Sequence, residues 1–204
     1  EKCLKMIENT YADVAKYQDA CGIALTEEDA RRLKAEGKKA FFLGIENGYA
    51  IGKDIKNVKK FKDMGIQYMT LSHSYDNDIC NSSSHTEDAS KGLTAFGRKV
   101  VKEMNKVGMM IDVSHVSEGT FWDVIKYSKD PIFASHSSVK ALCDHDRNLT
   151  DDQLRALAKN GGVIQICIYD GYLNNDAKVA SVDDVVKHID HAVKVAGIDH
   201  VGIG

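Results

Sequence analysis

Four side chains stand out for the chemistry that their types permit: Glu46, His73, His115 and His136. Each closes a short apolar run. Glu46 ends Ala40-Phe41-Phe42-Leu43-Gly44-Ile45, and His73 follows Ile66-Gln67-Tyr68-Met69-Thr70-Leu71. His115 follows Met109-Met110-Ile111-Asp112-Val113, and His136 follows Pro131-Ile132-Phe133-Ala134. Neutral imidazoles and a carboxylate are ordinary ligands of Zn²⁺ and related metals. A lone histidine at such a place is ordinarily hydrogen-bonded or solvated. Two Ser-His steps on successive runs, with Glu46 and His73 on the two before, point instead to a metal site. Period-2 alternation puts Ile111, Val113 and His115 on one face, and Ile132, Ala134 and His136 on one face. Both histidines are thereby expected to point into a common mouth. Asp112 is expected to support a ligand from behind or to support the barrel interior, since an isolated buried carboxylate is costly. The run Val163–Ile168 ends near Tyr169 and Asp170, which makes Tyr169 a candidate substrate contact. His85, His145, His188 and His191 are expected to be solvated or locally paired, and His200 to be structural at the opposite end of its run. The chain has no P-loop, no Gly-x-Gly-x-x-Gly, no nucleophile elbow and no Ser/His/Asp set in recognisable order.

The elements that must carry these groups follow one rhythm. An amphipathic segment ends near a Gly, and an apolar run follows at once. Gly37, Gly65, Gly108, Gly161-Gly162 and Gly197 each stand there, as expected of a residue that accepts the left-handed conformation past a helix end. The segments between have helical spacing: Val100, Val101, Met104 and Val107; Leu154, Leu157 and Ala158; Val185, Val186, Ile189, Val193 and Val195. Thr26, Thr150 and Ser181 each precede an acid or amide by three residues, which predicts capping boxes. Residues 1 to about 21 read as a helix with no strand before it. The longest insertion, about His73 to Gly92, is polar, and a loop of that length is ordinarily functional or mobile.

Six apolar runs alternating with helices imply a parallel sheet. Chemistry at the end of nearly every run argues for a barrel, because a (β/α)8 TIM barrel builds its site from all its strand ends. The 204 residues fall short of the about 250 of a complete barrel. Both ends fall inside patterned segments, so residues 1–204 are expected to form one partial barrel domain, truncated at both ends. The composition, 43% hydrophobic and 28% charged with a net charge of -3 and one Pro, excludes disordered and Pro-rich classes. It also argues against a dedicated nucleic-acid binder. Five cysteines without a CxxC pair read as mostly free thiols.

At these residues the chain resembles a known family. Gly44-Ile45-Glu46-Asn47-Gly48, Leu71-Ser72-His73-Ser74, Gly92-Leu93-Thr94-Ala95-Phe96-Gly97, Ile111-Asp112-Val113-Ser114-His115-Val116-Ser117, Ser135-His136-Ser137-Ser138, Arg147-Asn148 and His200-Val201-Gly202-Ile203-Gly204 occur in the order seen in membrane (renal-type) dipeptidases. These are zinc peptidases of the metallo-dependent hydrolase barrel superfamily. The resemblance implies that this α/β chain is an incomplete barrel matching strands 3–8.

The resemblance also implies roles. Glu46 is similar to a carboxylate that bridges two zinc ions and takes part in catalysis. His115 and His136 resemble the histidine ligands of the second zinc. His73 matches a catalytic histidine that contacts the substrate and the developing oxyanion, and Arg147 matches an arginine that holds the substrate carboxylate. The implied activity is hydrolysis of a dipeptide by a metal-activated water at a two-zinc site. Two features of the family do not carry over: no His-x-Asp pair precedes Glu46, and an acid expected just after the last strand would fall beyond Gly204. A family cysteine pair does not transfer either, because Cys143 has no partner near Asn174. Other metal-dependent amidohydrolases, acting on acyl-amino acids or lactams, and a non-catalytic metal-binding barrel fragment are the alternatives. Family members are exported or membrane-anchored in many cases. No anchor is visible in this sequence, the compartment stays unknown, and a homodimer is open. With six strands and two unpaired edges, the segment by itself is expected to be inactive and poorly stable.

Overall fold

The computed structural model describes residues 2–86 and 88–204. Helix α1 spans Lys2–Lys16; Glu1, its expected first residue, lies outside the described residues. The helix stops short of Cys21, because that residue enters a short strand, β1 (Cys21–Ile23). Helix α2 (Glu27–Ala35) then leads into β2 (Lys39–Phe41), and β1 and β2 pair in parallel as a small sheet of their own. The run 40–45 is therefore not one strand. Its first part completes this unit, and its second part, β3 (Leu43–Glu46), opens the main sheet.

The main sheet is built by β3, α3 (Lys56–Asp63), β4 (Ile66–Thr70), α4 (Ala95–Val107), β5 (Met110–Asp112), α5 (Glu118–Tyr127), β6 (Phe133–Ser137), α6 (Asp151–Lys159), β7 (Val163–Ile166), the short α7 (Asp170–Leu173), α8 (Val182–Ala196) and β8 (Val201–Ile203). Its six strands are all parallel and lie in strict chain order, β3-β4-β5-β6-β7-β8. A doubly wound sheet would reverse its order at a switch point. Uninterrupted order is the winding of an α/β barrel. His200 sits in a 3-10 turn just ahead of β8 rather than within the strand, and its Nδ1 lies 2.7 Å from the Gly162 carbonyl.

Capping fixes where the helices begin. Thr26 and Thr150 accept from the backbone N–H of Asp29 and Gln153, whose side chains accept in return from the cap N–H. At α8 the Asp184 carboxylate accepts from both the N–H and the hydroxyl of Ser181, each at 3.0 Å. Thr94 and Ser117 cap α4 and α5 by accepting from the N–H of Gly97 and Thr120. Each such bond satisfies a donor that the first helical turn leaves orphaned.

The two faces of the sheet differ in what they bury. Ile45, Met69, Ile111, Ala134 and Ile164 are buried in one core with Val58 and Phe61 of α3, Val100 and Met104 of α4, Phe121 and Val124 of α5, and Leu154 and Leu157 of α6. Each such side chain removed from water contributes about 1.5–3 kcal/mol. The opposite face carries Glu46, Tyr68, Thr70, Asp112, Phe133 and Ser135. Across it the Tyr68 and Phe133 rings meet edge to face at 5.3 Å. Gly44 lies on this face as well: a Cβ there would come within 2.1 Å of the Tyr68 ring.

Candidate metal centre

The C-terminal edge of the sheet gathers one carboxylate and three imidazoles. Glu46, the last residue of β3, holds its Oε1 3.2 Å from His115 Nε2 and 3.2 Å from His136 Nε2. The two Nε2 atoms are 2.8 Å apart. His73 Nε2 stands 3.7 Å from the same oxygen, and its ring lies 4.3 Å from that of His115. Among the described residues, Glu46, His115 and His136 form the one group of three or more such side chains able to share a metal ion. A cavity of about 380 Å³ opens beside them, lined by Glu46, Tyr68, Thr70, Ser135 and His136.

Simple strand alternation does not produce this meeting. Ile111 and Ala134 face the helices, so continuing the alternation would send both histidines the same way. Two local departures redirect them. β5 ends at Asp112, and His115 adopts a φ of 69°, a left-handed conformation uncommon outside glycine. The polar loop holds it there: the His115 carbonyl accepts from Ser83 N–H at 2.8 Å. In β6 the register against β7 slips between Ala134 and Ser137. This bulge lets Ser135 and His136 turn their side chains to the same side, with Ser135 Oγ 2.7 Å from His136 Nδ1.

The loop that follows β4 is well tied. The Asp76 carboxylate accepts from Ser82 N–H at 2.7 Å, Asn81 Nδ2 at 2.8 Å and Thr86 Oγ1 at 3.0 Å. Asn77 donates to the Leu71 carbonyl at 2.8 Å and accepts from Ile79 N–H at 2.8 Å. These bonds set His73 beside the other groups.

Burial holds the histidines in the form a metal needs. Desolvation, then the nearby Arg147 cation and the neighbouring imidazoles, pushes His115 down to about 2. His136 is lowered by the same first cause, partly offset by Asp112 and Glu46. Neutral imidazoles keep a lone pair for coordination. Asp112 is fully buried and accepts from the hydroxyls of Thr70 and Ser135, each at 2.6 Å.

Arg147 is buried too, and burial lowers its pKa. Its guanidinium donates to the His136 carbonyl at 3.0 Å and lies 5.3 Å from the centre of the Tyr172 ring. Among the described residues its Nε has no hydrogen-bond partner, nor does Ser83 Oγ, and both residues line a space of about 80 Å³ beside His115. Tyr169 is exposed; its ring packs 4.8 Å from Tyr172, and so it reaches Arg147 only through that ring. Tyr172 itself was not foreseen from the sequence. Its place one helical turn after Tyr169 is the signal that links the two.

Of the other histidines, His188 is buried rather than solvated. It accepts from Val139 N–H at 3.0 Å, and its Nε2 lies 3.0 Å from the Leu173 carbonyl. His191 pairs with Asp151 at 2.8 Å, and His85 stacks on Tyr75 with ring centres 4.8 Å apart. All five cysteines are free, and burial pushes the Cys80 thiol up to about 12.

A parallel sheet of barrel order with a carboxylate–imidazole cluster at its C-terminal edge is the architecture of a metallohydrolase barrel. The family follows from comparison. The chain belongs to the membrane dipeptidase family, peptidase family M19, whose model matches residues 1–204. An uncharacterized dipeptidase of Schizosaccharomyces pombe is 36% identical over 205 residues, covering 98% of this chain and 49% of its own length. Dipeptidase tcpJ of Claviceps purpurea is 36% identical over 188 residues, covering 92% of this chain and 44% of its own. The chain thus spans about half the length of the curated relatives it matches. Among solved structures, a metallopeptidase of Rhodobacter sphaeroides, liganded with a phosphinate mimic of the dipeptide L-Ala-D-Ala, superposes with a TM-score of 0.92 at 27% identity, covering 98% of this chain and 59% of its own. The probable dipeptidase PvdM of Pseudomonas aeruginosa gives 0.91 at 27%, covering 97% and 65%.

Proposed function

We infer that this chain carries the metal-holding part of a zinc dipeptidase that works with two zinc ions in its complete site. The observation that carries the reading is Glu46 Oε1 standing 3.2 Å from the Nε2 atoms of both His115 and His136. Three donors of borderline type converge on one small volume, and this donor set suits Zn²⁺. A carboxylate has a second oxygen to offer, so Glu46 could help to hold a further ion. Bound zinc would polarise the scissile carbonyl and lower the pKa of a water at the site.

The protein's own groups supply the rest. His115 and His136 present neutral nitrogens. His73, within 3.7 Å of Glu46, offers an N–H donor where negative charge develops on the carbonyl oxygen, which stabilises the transition state more than the ground state. Arg147 is a buried cation whose hydrogen-bond acceptors among the described residues are neutral and whose Nε finds none among them. A substrate α-carboxylate satisfies such a group in a two-pronged fork. Tyr172 supports the guanidinium from one face, and Tyr169 extends that wall toward solvent, where it can meet the substrate.

The test uses the full-length protein. Metal analysis should return about two zinc ions per chain, and free dipeptides should be hydrolysed while C-terminally amidated ones are not. Glu46→Gln should lose both zinc and turnover. Full activity of Glu46→Gln after exhaustive chelation would refute the mechanism, and equal rates on amidated substrates would remove Arg147 from its role.

A further inference from the structure

The Asp112 carboxylate is fully buried and accepts four hydrogen bonds. The N–H groups of Ser114 and Ser135 donate to Oδ1 at 2.9 Å each. The hydroxyls of Thr70 and Ser135 lie 2.6 Å from Oδ2. A carboxylate only accepts, so both hydroxyl protons are committed to it. Ser135 has one proton to give. Its Oγ has only a lone pair left for His136 Nδ1, 2.7 Å away, and the imidazole must be the donor of that bond. A neutral imidazole with its proton on Nδ1 has its lone pair on Nε2. Nε2 is the nitrogen that faces Glu46 and His115.

We propose that Asp112 and Ser135 form a relay that locks His136 as the Nδ1–H tautomer and so holds Nε2 bare toward the metal position. The β6 bulge makes the relay geometrically feasible. In a regular strand Ser135 and His136 would face opposite ways, and one hydroxyl could not touch both the Asp112 carboxylate and the His136 ring. Ser135 is thus a positioning residue. Through it the Asp112 charge raises the basicity of His136, as carboxylates behind ligating histidines do elsewhere. The purpose of the lock rests on the zinc reading above, but the tautomer itself does not.

Two measurements test it. Long-range ¹H–¹⁵N correlation spectra of the zinc-free protein at neutral pH should show a pyrrole-like Nδ1 and a pyridine-like Nε2 for His136. In Ser135→Ala the same ring should populate both tautomers, and zinc affinity, measured against a competing chelator, should fall about 10–100-fold. Ser135→Thr, which keeps the hydroxyl, should recover the wild-type tautomer and most of the affinity. An Nε2–H tautomer in the wild-type spectrum overturns the proposal whatever the variants do. Unchanged zinc affinity in Ser135→Ala, with the protein folded, overturns it as well. Wild-type protein that shows the Nδ1–H tautomer yet binds no zinc supports the lock and refutes the proposed function instead.

Discussion

Arg147 shows how much a single side chain can ask of its surroundings. A guanidinium taken out of water is costly unless its charge is met, and here its partners are a backbone carbonyl, a serine hydroxyl at 3.5 Å and an aromatic face. If a substrate carboxylate completes the set, Arg147→Lys should weaken binding more than chemistry. The ammonium keeps the charge but loses the planar fork and the stacking on Tyr172. Losing one charge-assisted hydrogen bond of about 1.5–3 kcal/mol corresponds to a KM raised about 10–100-fold with kcat little changed. Steady-state kinetics on one dipeptide decides this; a kcat loss at constant KM would place Arg147 in the chemistry instead. Arg147 is also the residue least readable without the family resemblance. A lone Arg in a polar stretch looks like a solvated cation, and only the fold buries it beside His136.

At the scale of elements, the helix starts were legible and the strand ends less so. A capping box is a local pattern of four residues, and Thr26, Thr150 and Ser181 all stand where the pattern put them. The α8 cap has a pH consequence. Hydrogen bonds from Lys187 and Ser181 lower the Asp184 pKa to about 2. With the folded value below the unfolded one of about 3.9, the unfolded chain takes up the proton first as pH falls. The contribution is complete above the unfolded value and is lost between there and about 2. Asp184→Asn should therefore be less stable than wild type at neutral pH, and the two should converge in acid. Denaturant titrations at a series of pH values check this, and a gap that persists below the folded pKa would assign the effect to packing. The strand ends are harder because they depend on neighbours. The His115 conformation is held by Ser83 of a distant loop, and the β6 bulge by register against β7. Alternation within either strand holds no trace of these partners.

The whole molecule ties three separate strand ends together at one point. Glu46 closes β3, His115 follows β5 and His136 lies in β6, at chain positions far apart. A metal held there would crosslink the sheet, and anything that binds only the folded state stabilises it. Zinc at about 100 times its Kd should add about 2.7 kcal/mol, a rise in Tm of roughly 5–10 °C for a chain of this size. Chelation should reverse it, and Glu46→Gln should abolish it. Calorimetry with and without zinc checks this; an equal rise in Glu46→Gln would mean that the ion binds elsewhere.

The alternation of strands and helices through the main sheet, the helix caps and the polar groups Glu46, His73, His115 and His136 at strand ends were legible in the sequence alone, because each is a local property: a period, a cap, a residue type at the end of an apolar run. Which face those side chains turn to was not. The split of residues 39–46 between two sheets, the left-handed His115, the paired turn of Ser135 and His136 and the burial of Arg147 all arise from contacts between residues distant in the chain. Tertiary structure decided them, because a hydrogen bond from a remote loop or a slip in register costs little in sequence pattern yet redirects a side chain across the sheet.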